Sequence, residues 1–188
     1  AERGDAINRD LYDYDSDRNL AVVQLRHAFR RYRHGYLNVH KTYHLVGFTE
    51  RGEPFRHPVS GQTVRAAVHR VGHQLGEVVK AAERWIFDVT RRQYARGVRQ
   101  GDLLMFRARG QPARDAVYLG RRLEVLENHE LRATAIWRDG TEIWALEPSV
   151  YHRENDHAPV YAHEPDRWYV VRPGREASTH AFARRIRG

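Results

Sequence analysis

Residues 130–146 read ELRATAIWRDGTEIWAL and indicate the fold more clearly than any other stretch of the chain. Apolar and polar residues alternate on both sides of Asp139-Gly140, so that Ile136-Trp137 is mirrored by Ile143-Trp144. Alternation is typical of half-buried strands, and a two-residue Asp-Gly connection favours the tight turn of a β-hairpin. The stretch therefore predicts two antiparallel strands joined at Asp139-Gly140.

Similar short runs, separated by turn residues, follow one another through the C-terminal half. The predicted strands are Asp102–Ala108, Ala116–Glu124, Glu130–Arg138, Thr141–Leu146, Pro159–Tyr161 and Arg167–Arg172. Short strands with turns about every 8 to 12 residues are typical of small barrels and sandwiches. We therefore expect a compact antiparallel β barrel or sandwich module in this half.

The N-terminal half begins with a helical pattern. Ser16 or Asp17 can cap a helix in which apolar residues recur every three or four positions. Those apolar residues are Val22, Leu25, Phe29 and Tyr32. After Gly35 the period changes to two, which predicts a strand over Leu37–Leu45 and, with the Gly- and Pro-rich turn that follows it, one early β-hairpin.

A longer helical pattern runs from Gln62 to about Arg96, and its last turn would carry a second cluster of arginines, namely Arg91, Arg92, Arg96 and Arg99. Gly72 and Gly76 interrupt it, and each weakens a helix interior by about 1 kcal/mol relative to Ala. We expect a kink there, or two helices that meet near His73.

The predicted fold class is α+β, with a helical N-terminal half that carries one early β-hairpin, followed by the compact antiparallel β barrel or sandwich module. We expect two parts, residues 1–97 and 98–188, which could also form one continuous domain. The absence of cysteine excludes disulfides, thiol nucleophiles, iron–sulfur clusters and cysteine-ligated zinc. No run of about 18 apolar residues could cross a bilayer, so we expect a cytoplasmic protein with no membrane partner.

Part of the C-terminal half resembles a group of small uncharacterised bacterial and phage proteins. The likeness rests on Val98-Arg99-Gln100-Gly101-Asp102-Leu103-Leu104, on His152 and His157, and on Tyr169, Val170, Arg175 and Glu176. Proteins of that group open with Arg-Gln-Gly-Asp, continue into a β module and carry a histidine pair ahead of a late Tyr-x-Val strand. This sequence departs from them in the spacing of His152 and His157. The resemblance implies the β module and no activity.

Arginine dominates the charge, since 30 Arg and 2 Lys against 24 acidic residues give a formal net charge of +8. A guanidinium binds phosphate through a planar fork of donors, and Tyr, His and Trp side chains stack on unpaired bases. The candidate nucleic-acid-binding residues are Arg26, Arg30, Arg33, Tyr36, Arg91, Arg92, Arg96 and Arg99. Clusters dispersed in this way favour contacts to the phosphate backbone over base-specific recognition.

The early strand carries the candidate catalytic residues. Period two places Tyr36, Asn38, His40, Thr42 and His44 on one side of a sheet. His40 and His44 could act there as acid and base on a phosphodiester, or as metal ligands. A polar outer face of a sheet explains the same pattern without any catalysis.

A loop near the C-terminus carries the candidate metal ligands. His152, His157 and His163 alternate there with the carboxylates Glu154, Asp156 and Glu164. Nitrogen and oxygen ligands of this kind suit a divalent metal such as Zn or Mn, although the spacing matches no established metal motif. A divalent metal is the only cofactor that the sequence suggests, and no cofactor is required.

Taken together, these patterns favour a non-catalytic nucleic-acid-binding protein, with RNA or single-stranded DNA preferred over duplex because of the aromatic content. One alternative is a phosphodiesterase or nuclease that uses His40 and His44. Another is an assembly or interaction protein from a phage or a defence system, whose arginine-rich faces bind an acidic protein surface. The sequence leaves the oligomeric state open.

Overall fold

The computed structural model describes residues 6–30, 37–48, 52, 54–72, 75–126, 128–153, 158–162 and 164–175. Among these residues the fold is mostly β, with 54% in strands and 19% in helices. Contacts divide the chain into two units, Ala1–Trp85 and Ile86–Gly188, and the division falls within the helix Glu77–Phe87.

The first unit contains a four-stranded antiparallel sheet. Its strands are β1 (Ala6–Asp15), β2 (Leu20–Arg30), β3 (Leu37–Phe48) and β4 (Pro54–Val59), in the order β1-β2-β3-β4. The helices α1 (Gly61–Val71) and α2 (Glu77–Phe87) follow. The buried side chains of this unit include Leu20, Val22, Tyr43, Leu45 and Val59 of the sheet, Val64 and Ala67 of α1, and Val78 and Val79 of α2.

The predicted helix with Val22, Leu25, Phe29 and Tyr32 is wrong, because Leu20–Arg30 forms the strand β2. Spacings of three and four occur among these apolar residues, but burial follows period two through Leu20, Val22 and Gln24. The polar Gln24 occupies a core position, so the alternation is not visible in hydropathy alone. The helical N-terminal half of the predicted fold class is therefore replaced by a sheet.

A buried carboxylate connects β1 to α2. Asp13 is 6% exposed, and its oxygens accept hydrogen bonds from the backbone N–H groups of Gly76, Val78 and Val79 at 2.8 to 3.1 Å. The first amides of a helix have no partner within the helix, and its N-terminus favours negative charge. Gly72 and Gly76 both have positive φ, so the predicted division of the long helix at these glycines is confirmed.

The second unit is a twisted antiparallel sheet preceded by one short helix. Its elements are α3 (Arg91–Ala95), β5 (Val98–Gln100), β6 (Leu103–Arg107), β7 (Val117–Val125), β8 (His129–Asp139), β9 (Glu142–Leu146), β10 (Ser149–His152), β11 (Val160–Tyr161) and β12 (Trp168–Pro173). The strand order is β11-β10-β8-β9-β12-β6-β5, and β7 also pairs with β8. Gln100 of β5 donates to the carbonyl of Ala158, beside β11, at 2.9 Å, so the two ends of this order approach each other in a near-barrel.

The six strands predicted in this half all coincide with observed strands, and β5 and β10 were missed. The predicted hairpin is present, with its turn one residue later than expected. Asp139 pairs with Glu142, so the connection is Gly140-Thr141, with Gly140 at φ 57°. Leu103, Met105, Leu131, Ile136 and Val171 are among the buried residues that form the core inside the curl of this sheet.

Candidate functional site

One face of the first sheet carries an open depression of about 410 Å³. It is lined by Asn8, Arg26, Ala28, Val39 and Lys41. In the register of the sheet, Asn8 lies opposite Arg26 and Arg26 lies opposite Lys41, so three adjacent strands contribute one row of residues to its lining. The surface inside the depression is formed by the apolar atoms of its lining residues. We call this feature the basic depression.

Arg26 and Lys41 form a cross-strand pair of like charges. Side chains directly opposite on antiparallel strands have Cβ atoms about 5 Å apart, and like charges in that position destabilise a sheet. Asp10 lies one residue pair away on the same face, but neither cation forms an ion pair with it or with any other acidic side chain of the described residues. The arrangement therefore favours an anion from outside the chain.

The next row of the same face is a hydrogen-bonded network of two tyrosines. Gln24 donates to the hydroxyl of Tyr43 at 2.6 Å and to that of Tyr12 at 3.1 Å. The guanidinium of Arg65, on α1, lies 6.0 Å from the centre of the Tyr43 ring. Gly61 of α1 lies so close to Tyr43 that a Cβ there would come within 2.8 Å of the ring.

The two phenols of this network have opposite pKa shifts. Burial raises the pKa of Tyr43, but hydrogen bonds from Tyr12, Arg65 and Gln24 outweigh it, so that this pKa lies below the usual value. Burial raises the pKa of Tyr12, and its hydrogen bond to Tyr43 raises it further. Tyr12 is therefore the donor and Tyr43 the acceptor, and together with Arg65 they form a polar border next to the basic depression.

The candidate catalytic histidines lie on the opposite face of this sheet. His40 is exposed and pairs in register with His27, whereas His44 is 8% exposed and its Nε2 lies 3.1 Å from Thr42 Oγ1. Four residues along an extended strand place the two Cα atoms about 13 Å apart. The structure puts both side chains on one face, as expected from period two, but does not bring them together, and their catalytic role stays a prediction.

The candidate nucleic-acid-binding residues are dispersed over both units. Arg26 lines the basic depression and Arg30 ends β2, while Arg33 and Tyr36 lie outside the described residues. The second cluster was predicted in the last turn of the long helix, and this is wrong. Arg91 and Arg92 begin α3 and Arg96 caps its C-terminus.

Arg99, predicted with that second cluster, lies on β5 instead. Its Nε donates to the carbonyl of Gly101 at 2.8 Å, and its guanidinium lies 5.3 Å from the centre of the Phe87 ring. Contacts of this kind hold the side chain against its own unit, so Arg99 contributes to packing as well as to the positive charge.

The candidate metal ligand His152 belongs to a buried histidine pair that the sequence did not indicate. It lies opposite His129 in the register of β8 and β10, and the ring centres are 4.9 Å apart. Asn128 lies between them, with Oδ1 2.7 Å from His129 Nδ1 and Nδ2 3.0 Å from His152 Nε2. His157 and His163 lie outside the described residues.

Within the part of the chain that the structure describes, no group of three or more His, Asp or Glu side chains is placed to hold a metal ion. The predicted metal site at His152, His157 and His163 is therefore not tested. Asn128 and His129 could not be identified from spacing, because only the pairing of β8 with β10 brings them to His152.

None of the helices in the described residues is long and apolar enough to cross a membrane. Comparison with known proteins gives no relative: no family model matches the sequence, and neither a curated protein nor a solved structure is similar to the chain.

Proposed function

We propose that the protein binds nucleic acid through the phosphate backbone, with RNA or single-stranded DNA as the ligand and the basic depression as one contact surface. The observation that supports this most directly is the like-charge pair of Arg26 and Lys41, opposite each other and without an acidic partner among the described residues. A phosphate between them would remove their repulsion and accept hydrogen bonds from both side chains.

The surroundings of the pair suit a sugar-phosphate chain. Asn8 adds an amide beside the two cations, and Ala28 and Val39 add an apolar floor. Arg65, at the border with Tyr43, adds a further cation on the same side of the sheet. The net charge of +8 would attract a polyanion over longer distances.

The dependence of affinity on salt tests this proposal. We expect the chain to bind a labelled oligothymidylate or oligouridylate of about 20 nucleotides, and to lose affinity steeply between about 50 and 200 mM salt. Replacing both cations, Arg26→Ala with Lys41→Ala, removes two phosphate contacts. The slope of log K against log salt should then become shallower by about 1.4, since each contact to a single strand contributes about 0.7.

The matched control is Arg9→Ala with Arg56→Ala. These two exposed arginines lie on the opposite face of the same sheet, in register with Leu25 and Val46, so the control loses the same net charge. It should keep a slope close to that of the unchanged protein. Equal losses in both double variants, or affinity that does not respond to salt, would contradict the proposal.

Folding and ligand class are checked on the same samples. The Arg26→Ala, Lys41→Ala variant relieves a repulsion, so its free energy of unfolding should not fall, and weaker binding cannot then be attributed to unfolding. Displacement of the oligonucleotide by polyglutamate at equal charge concentration would favour an acidic protein partner instead.

A further inference from the structure

The outer face of the second sheet carries two tyrosines and two arginines in adjacent positions, which we call the outer patch: Arg122, Arg132, Tyr151 and Tyr161. Arg122 lies opposite Arg132, Arg132 lies opposite Ser149, and Ser149 lies opposite Tyr161, so one row crosses four strands. Tyr151 is two residues along β10 from Ser149 and therefore points to the same face.

Arg132 is held flat against a ring. Its guanidinium carbon lies 4.1 Å from the centre of the Tyr151 ring, and its Nε is ion-paired with Glu130. These two contacts already restrict the guanidinium. The Arg132 side chain would therefore lose little conformational entropy when a ligand packs beside it.

Tyr161 stands edge-on to Tyr151 and remains open to solvent. The ring centres are 6.2 Å apart with an interplanar angle of 83°, and Tyr161 is 55% exposed. Its hydroxyl donates to Tyr151, and this hydrogen bond lowers the pKa of Tyr151 and raises that of Tyr161. The ring is thus held by its edge-on contact with Tyr151 as well as by its hydroxyl, while much of its surface is uncovered.

Arg122 supplies a charge at the other end of this row. It lies three strands from Tyr161, so the two Cα atoms are about 14 Å apart at the usual spacing of neighbouring strands. It is exposed, and it forms no ion pair with any acidic side chain of the described residues. Arg132 already has Glu130 as its partner, so Arg122 is the cation of the row that is available to an incoming phosphate.

We propose that the outer patch is a stacking site for an unpaired nucleotide, in which the base packs on Tyr161 and Arg122 pairs with a phosphate farther along the nucleic-acid chain. This inference rests on the proposed function and adds to it a base contact in the second unit. Stacking on an aromatic ring tolerates every base, because each base presents a π-face. The site therefore recognises single strands without selecting a sequence.

The test compares two ligands and two variants. The ligands are an oligothymidylate of about 20 nucleotides and an abasic oligomer of the same length, which keeps the phosphates and lacks the bases. Tyr161→Ala should weaken binding of the oligothymidylate about 5-fold to 100-fold and leave binding of the abasic oligomer unchanged. Tyr161→Phe keeps the ring and should bind both ligands as the unchanged protein does.

Photo-crosslinking gives a second readout that does not depend on affinity. An oligonucleotide with 5-iodouracil crosslinks to an aromatic side chain stacked on that base. Trypsin releases residues 154–167 as one peptide in which Tyr161 is the only tyrosine, whereas Tyr151 falls in the peptide 139–153. We expect the crosslink in residues 154–167 and its loss in Tyr161→Ala.

The outcomes separate the inference from the function on which it rests. If Tyr161→Ala binds the oligothymidylate as tightly as the unchanged protein and the crosslink lies elsewhere, the stacking site is refuted while salt-dependent binding stands. If the unchanged protein binds neither ligand, the proposed function itself fails, and the stacking site with it.

Discussion

Each unit contains a pair of tyrosines beside an arginine, and the two pairs differ mainly in how far solvent reaches them. Tyr12 and Tyr43 have ring centres 5.4 Å apart at 81°, close to the 6.2 Å and 83° of Tyr151 and Tyr161. In each pair one phenol donates to the other, which raises the pKa of the donor and lowers that of the acceptor. Tyr43, however, is 5% exposed, and Tyr161 is 55% exposed.

The same contact between two tyrosines therefore occurs in a buried environment in the first unit and near the surface in the second. In the first unit Gln24 and Arg65 add donors to the phenol of Tyr43, and α1 packs over its ring, so Tyr43 is part of the core. In the second unit the guanidinium of Arg132 lies over the half-buried Tyr151, and Tyr161 presents its ring to solvent. Geometry alone does not distinguish a packing pair from a binding surface, whereas burial does.

Removing a ring should produce the largest difference between the two pairs. Tyr43→Ala leaves a cavity in the core and should lower the free energy of unfolding by about 3 to 5 kcal/mol. Tyr161→Ala removes an exposed ring and should leave it unchanged within error. Chemical denaturation followed by circular dichroism measures both variants, and equal losses would show that Tyr161 is also a packing residue.

Removing a hydrogen-bond partner should give a smaller difference in unfolding free energy between the two pairs. Gln24→Leu removes the 2.6 Å donor to the buried hydroxyl of Tyr43, which keeps its hydrogen bonds with Tyr12 and Arg65, so the loss should be about 0.5 to 1.5 kcal/mol of unfolding free energy. The counterpart is Ser149→Ala, since Ser149 hydrogen-bonds to Tyr151 where water can replace it. A loss in Ser149→Ala as large as that in Gln24→Leu would contradict the difference in burial.

The second unit could be predicted well from the sequence and the first could not, and Gln24 shows why. Between residues 102 and 172 the predicted strands are alternating or continuous apolar runs that end at turn residues, so local pattern and final structure agree there for every strand except β10. In β2 the core face includes Gln24 and then Arg26, and the opposite face includes Val23 and Leu25. Polar residues on the inner face and apolar ones on the outer face conceal period two.

The prediction of the candidate sites was limited in the same way, because the pattern of the sequence does not show which strands pair. Arg26 was identified as a phosphate ligand, but its pairing with Lys41 depends on the register of β2 and β3, which a helical interpretation of β2 cannot supply. Tyr161 was predicted to lie on a strand, yet its place beside Arg132 depends on the missed strand β10. Register between distant segments is a tertiary property, so these neighbours follow only from the fold.

The smallest expected effect is a change in the pKa of the phenols. It is also the most direct test of the hydrogen bond within each tyrosine pair. Tyr161→Phe removes the donor to Tyr151, so the pKa of Tyr151 should rise from its lowered value. Tyr12→Phe should raise the pKa of Tyr43 in the same way. Resonances of the labelled tyrosine Cζ atoms, followed by NMR through alkaline pH, report each phenol separately.

Access to water determines which of the two rises in pKa, at Tyr43 or at Tyr151, is larger. Beside the half-buried Tyr151 a water molecule can donate in place of Tyr161, whereas the buried Tyr43 has no such replacement, so we expect the larger rise at Tyr43. Arg122→Ala is the control for the outer patch, because it removes a charge there without touching either hydroxyl. An unchanged Tyr151 titration in Tyr161→Phe would mean that the two hydroxyls are not hydrogen-bonded, and the edge-on contact of the rings would then be what holds Tyr161 in place.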